Sequence, residues 1–177
     1  MNDYPINFLE INNFLLAYKR AWSETRPVAK DNLGFRVFSR NLNKNLKVLQ
    51  SKIQQGIFEN QVHDCLKFAE PKNNLTLRWF HILKMEDLIV YQAIANYIAL
   101  LYKQDMREIE NRISFGYVLN FKCDDYFYQY WKNGYDKFEK TVISNYQHGN
   151  SWRLKTDIVS FFENIEHEIL IQQLRNN

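Results

Sequence analysis

The sequence predicts an α+β fold, predominantly helical, on three observations. Apolar residues recur at three- and four-residue steps in several separated stretches, the pattern of amphipathic helices. Two short β-compatible runs flank the turn-rich tetrapeptide Pro71-Lys72-Asn73-Asn74, which reads as a hairpin. No internal repeat, low-complexity tract or obvious linker interrupts the 177 residues, so a compact unit is the default. Within it, residues 1–150 form a helical region with a hairpin near 62–83, and residues 151–177 open a second part.

The elements follow in order. Phe8, Ile11, Leu15, Tyr18 and Trp22 lie at helical spacing after Pro5, which predicts a first helix over Asn7 to Trp22. Glu24 to Gly34, with Pro27 among polar residues, is a connecting loop. Leu42, Leu46, Leu49 and Ile53 predict a second helix, with Gly56 placed to cap it. Lys44, Lys47 and Lys52 fall on its other faces and read as a solvated surface, the sharper alternative being contact with a nucleic-acid backbone.

Val62 to Glu70 and Thr76 to Leu83 are the two hairpin strands. Glu86 and Asp87 then open a helix, favourably placed against the positive end of its dipole, and Lys103 closes it. Leu88, Tyr91, Ile94, Ala95, Ile98 and Leu101 are its expected buried stripe, and Ala93, Ala95 and Ala99 keep it slim enough for close packing. Asp105 to Cys123 reads mainly as loop. A long aromatic helix is expected from about Tyr126 to about Tyr146, burying Phe127, Trp131, Phe138 and Val142, with Gly134 as a mild flaw inside it. After Gly149, Trp152 to Phe162 mixes β-branched and aromatic residues without Gly or Pro and predicts a strand. From Phe162 the period changes to that of a helix, through Ile165, Ile169 and Leu170.

Composition narrows the function classes. Hydrophobic residues at 46% and charged residues at 24% describe a folded chain and exclude wholesale disorder. A net charge of +3 permits a nucleic-acid partner without requiring one. Aromatics at 16% supply packing area, and their faces are also what unpaired bases stack on. Cys65 and Cys123 are far apart and only four histidines occur, which argues against a zinc site or a disulfide framework. A reducing cytoplasm fits, and neither a signal peptide nor a membrane span is expected.

Two features could carry chemistry on residue type alone. Asp157 is a carboxylate at the end of a predicted strand, costly in a core unless hydrogen bonds, an ion pair or a divalent cation compensate it. Lys72 and Arg78 make the hairpin basic. Carboxylate-held metal and cationic side chains are complementary in nucleotidyl transfer, where metal activates a hydroxyl and cations neutralise a triphosphate. The plainer reading of Asp157 is an ion pair with Arg153 or Lys155. Glu166 and Glu168 flank His167, but neighbours in a helix point different ways, so no general-base pair is expected there.

The segment DIVSFFENIEHEIL resembles the first catalytic palm motif of reverse transcriptases from group II introns, retrons and phage-defence systems, written D-I-x-x-x-F-x-N-I-x-H-x-x-L. Asp157, Ile158, Phe162, Asn164, Ile165, His167 and Leu170 fall in register. The segment PKNNLTLRWFHILKMEDLIVYQAI resembles the fingers of the same family at Lys72, Arg78, Asp87 and Gln92. ISFGY and the tyrosine-rich stretch after it are similar to the abortive-infection branch.

The resemblance implies the fingers and partial palm of a right-hand polymerase, an RNA-directed DNA polymerase and thus a nucleotidyltransferase, with a role in phage defence. Asp157 would bind two Mg2+ ions and the main-chain carbonyl of Ile158 one of them. Lys72 and Arg78 would hold the triphosphate. Phe162 would pack under the incoming sugar and exclude a 2′-hydroxyl, the alternative being a plain core aromatic. The implied partners are an RNA or DNA template-primer, deoxynucleoside triphosphates and an accessory RNA. The family's later aromatic-small-Asp-Asp motif does not follow Asp157, and Asp124-Asp125 precedes it, so the palm reads as truncated and the chain by itself as inactive. The competing expectations are a non-catalytic nucleic-acid or protein-binding module that keeps the polymerase-like fold, and a helical structural domain.

Overall fold

A computed structural model describes residues 7–25, 34–60, 65–71, 76–110, 112–158 and 161–175, the side chains of 162 and 163 excepted. In chain order the elements are α1 (Ile11–Glu24), α2 (Phe35–Ser39), α3 (Leu42–Gln54), β1 (Leu66–Pro71), β2 (Leu77–Ile82), α4 (Met85–Leu101), α5 (Lys103–Ile109), α6 (Trp131–Gln147), a 3-10 turn at Phe161–Asn164 and α7 (His167–Arg175). Helices thus dominate, with one two-stranded antiparallel sheet. The chain divides into two compact units, Met1–Glu139 and Lys140–Asn177.

The first unit is built on α1 packed against α4 and α3. Helix α1 begins four residues later than its apolar spacing predicts. The Asn7 side chain accepts the Leu9 amide at 3.0 Å in a local turn ahead of the helix. Phe14, Ala17, Tyr18 and Ala21 of α1 meet Phe35 and Phe38 of α2, Leu46 and Leu49 of α3, and Met85, Ile89 and Ala93 of α4 in one core. Ring geometry fixes part of it. Tyr18 stacks on Phe38 with centroids 6.2 Å apart, and Trp22 meets Phe35 edge-on at 5.4 Å.

Helix α3 ends as its glycine predicts. Gly56 sits at φ +69°, its amide donates to Ile53 O and the Ile57 amide reaches back to Lys52 O, so the last carbonyls are satisfied. Strands β1 and β2 pair in a register that sets Leu66 opposite Ile82, Phe68 opposite Phe80 and Glu70 opposite Arg78. Phe68 and Phe80 stack at 5.1 Å, and Ile82 packs on the core, which anchors the hairpin.

Further expectations are corrected in this unit. The buried side of α4 is Met85, Ile89, Ala93, Asn96 and Ala99, whereas Tyr91 is 66% and Leu101 60% exposed. This helix is apolar nearly all round, so spacing alone did not select its inward face, while the close packing expected of Ala93 and Ala99 does occur. A short helix runs over Lys103–Ile109, so Lys103 begins a helix rather than closing the previous one, and residues 105–109 of the stretch read mainly as loop are helical. Helix α6 starts at Trp131 rather than near Tyr126, because residues 118–129 fold back on themselves: the Asn120 amide donates to Phe127 O at 2.9 Å and the Gln129 amide to Val118 O at 2.8 Å. Asp124 belongs to that turn, accepting from Asn120 Nδ2 at 2.7 Å and from the Tyr126 amide at 3.2 Å.

Gly134 is no flaw. It is the buried residue of α6, and a Cβ there would overlap the carbonyl oxygen of Phe115 and lie 3.1 Å from its carbon. Only a glycine lets the two backbones approach so closely. Trp131 and Phe138, expected inside, are exposed at 68% and 40%, and Val142 is half-buried.

In the second unit α6 closes on Gly149 at φ +94°, with the Asn150 amide returning to Asn145 O. The strand expected over Trp152 to Phe162 does not form across residues 151–158, which are exposed and without regular structure. A strand exists only where its main-chain groups find a partner, and both described strands pair with each other. From Phe161 the change to helical structure does occur, through the 3-10 turn and α7.

Candidate functional site

The fingers-like residues lie on the hairpin and the helix that follows it. Arg78 is exposed on β2, on the same sheet face as the stacked Phe68 and Phe80 and directly opposite Glu70. Lys72 lies outside the described residues. Lys84 precedes α4, and Glu86 and Asp87 occupy its first turn, where carboxylates complement the helix dipole. Asp87 is buried and lines a cleft of about 600 Å3 together with Phe38, Asn45, Glu59 and Lys84. Arg78 is not among the residues lining that cleft.

Gln92 belongs to a buried polar network that the sequence did not disclose. Its Nε2 donates to Asn96 Oδ1 at 3.0 Å, and the same oxygen accepts Arg20 Nη1 at 2.6 Å. Asn96 Nδ2 donates to Asn13 Oδ1 at 3.1 Å, and Asn13 Nδ2 donates to the carbonyls of Phe8 and Ala93, each at 3.0 Å. Arg20 Nη2 reaches the carbonyls of Asn120 and Lys122 at 2.8 and 3.1 Å, with the guanidinium 5.2 Å from the Phe127 ring centre. Polar groups withdrawn from water stay favourable only when bonded in this way. The network positions α1, α4 and the 118–129 turn, and the signal available in sequence was polar residues at inward positions of otherwise apolar helices.

The motif residues lie in the second unit. Asp157 and Ile158 are exposed and sit in the stretch without regular structure. Phe162 lies in the 3-10 turn, its side chain outside the described residues, and His167 opens α7 exposed to solvent. Asp157 and Arg78 belong to different units.

Magnesium prefers six oxygen ligands in octahedral array and is held by carboxylates with retained water. Asp157 and the Ile158 carbonyl are oxygen donors of the right kind. Among the described residues, however, no three Asp, Glu, His or Cys side chains gather as a metal group. The donors described therefore do not make up a two-ion site. Cys65 and Cys123 are both free and half-buried.

Aromatic side chains supply the other notable surface of the first unit. Phe115 and Phe138 meet edge-on at 5.7 Å, Tyr117 and Tyr128 at 5.3 Å, and Tyr130, Trp131 and Tyr135 continue the series along the start of α6. Burial raises the Tyr128 phenol above its ordinary value, with Tyr91, Tyr117 and Glu24 adding to the effect. No helix among the described residues is long and apolar enough to cross a membrane. No family model, curated protein or solved structure matches this chain.

Proposed function

We propose that this chain is the fingers and opening palm segment of an RNA-directed DNA polymerase, a nucleotidyltransferase that joins deoxynucleotides to a 3′-hydroxyl with Mg2+, in the branch devoted to phage defence. The observation that carries the reading is the seven-position register around Asp157 together with the hairpin order that sets Arg78 on the second strand before a helix opened by Asp87. Arg78 is suited to a triphosphate because its planar fork gives paired charge-assisted hydrogen bonds to phosphate oxygens. Asp157 supplies one carboxylate toward magnesium, and the ligand set needs further carboxylates beyond those described. The partners in this reading are a template-primer and deoxynucleoside triphosphates, with an accessory RNA.

The test is equilibrium binding of magnesium-dTTP to the 177-residue chain. Arg78→Ala weakens binding about tenfold or more, as expected for loss of a charge-assisted hydrogen bond of about 1.5–3 kcal/mol. Asp157→Asn removes the dependence on magnesium. Absence of saturable binding, or binding indifferent to Arg78→Ala, refutes the reading. Primer extension by the chain alone is expected to be absent.

A second reading is favoured by one observation, the lack of a gathered carboxylate group among the described residues. In it the chain is a non-catalytic nucleic-acid-binding module that keeps the fingers arrangement. Nucleic-acid binding without any magnesium-dTTP binding would establish it over the first.

A further inference from the structure

Strand register divides the hairpin into two faces of unlike chemistry. Glu70 and Arg78 share one face with the half-buried Phe68, Phe80 and Ile82. The other carries the pairs Lys67 with His81, Ala69 with Trp79, and Pro71 with Leu77. That second face is open: Trp79 is 63% exposed and Leu77 52%, with Lys67 and His81 also exposed. It holds no acidic residue.

Trp79 and Leu77 together present an exposed apolar patch on this face, bordered by the polar Lys67 and His81. Trp79 is paired with the small Ala69, and Lys67 lies across from His81 in the next pair on the same face. A flat ring near a lysine, with no carboxylate on the same face, fits unpaired nucleic acid, because a base stacks on the ring while its phosphate meets the ammonium.

We infer that Trp79, with Lys67 and His81, forms a stacking platform for single-stranded nucleic acid on the hairpin face opposite Arg78. The inference rests on the proposed nucleic-acid role and adds the surface that would take the unpaired strand. Phosphate contact makes binding weaken as salt rises, and stacking makes it demand unpaired bases.

The experiment is fluorescence anisotropy of labelled oligo(dT) with the 177-residue chain across a salt series. Trp79→Ala is expected to weaken binding about 5- to 150-fold, the range found for removing one stacking ring. Trp79→Phe, which keeps a ring, should stay within a few-fold of the parent. Lys67→Glu should flatten the salt dependence. Because the indole is exposed, circular dichroism should show each variant folded.

Unchanged affinity in Trp79→Ala overturns the platform while leaving the polymerase reading intact. Equal loss in Trp152→Ala, an exposed indole in the other unit, also overturns it, because the effect would then follow any exposed indole. No binding of oligo(dT) by the parent chain overturns both. Concentration-dependent self-association abolished by Trp79→Ala, without oligonucleotide binding, would assign the face to a second copy and refute the inference.

Discussion

Gly134→Ala separates what helix propensity predicts from what packing dictates. In a helix interior alanine is favoured over glycine by about 1 kcal/mol, so propensity alone makes the variant more stable. The structure reverses the sign. The added methyl would overlap the Phe115 carbonyl oxygen, a backbone atom that no rotamer change can move aside. Overpacking of this kind costs about 1–3 kcal/mol, and backbone against side chain belongs at the upper end.

After the propensity gain, a net loss of about 1–2 kcal/mol remains. At roughly 4 °C per kcal/mol for a unit of this size, Tm should fall by about 4–8 °C. Thermal unfolding followed by circular dichroism reads this directly. The start of α6 should also loosen from residues 113–118, opening the edge contact of Phe115 with Phe138 and speeding amide exchange there. Gly116→Ala, where a Cβ meets nothing within 4 Å, is the control and should change stability by less than about 0.5 kcal/mol. A Gly134→Ala variant as stable as its parent, or more so, would refute the argument.

Two further outcomes test the interior. Asn96→Ala removes an acceptor for Arg20 and Gln92 and a donor to Asn13 at once, so a loss of about 2–4 kcal/mol is expected in the urea midpoint at unchanged slope. Tyr128 is held neutral chiefly by burial, with Tyr91, Tyr117 and Glu24 contributing. Its folded value lies above its unfolded one, so that stabilisation is complete below about pH 10 and disappears as pH rises through the folded value. The ultraviolet tyrosinate band should show a late fraction that Tyr128→Phe reduces, and a variant with an unchanged late fraction would contradict the assignment.

The helices and the hairpin were legible because each is set by local pattern. Leu42, Leu46, Leu49 and Ile53 mark one face of α3, Gly56 marks its end, and Pro71 to Asn74 mark the hairpin connection. What was illegible depended on partners distant in sequence. The inward face of α4 is chosen by where Asn13 and Arg20 meet Asn96, 76 residues or more away. The role of Gly134 depends on a carbonyl in another segment. Residues 152–162 have strand composition, but composition cannot supply a neighbouring strand.

Of the candidate site, Arg78 and Asp87 were placed by pattern on their elements. The pairing of Trp79 with Lys67 and His81 on one face required the register, which period-two alternation alone could have hinted at.

Arg20 has one more consequence, for biosynthesis. Its side chain donates to acceptors at positions 96, 120 and 122, which lie 76 to 102 residues downstream, so a nascent chain carries α1 well before these acceptors are made. Closure of this unit must wait for translation to pass Lys122, and a ribosome stalled before that point should display α1 in a form that proteases and chaperones still recognise as unfinished.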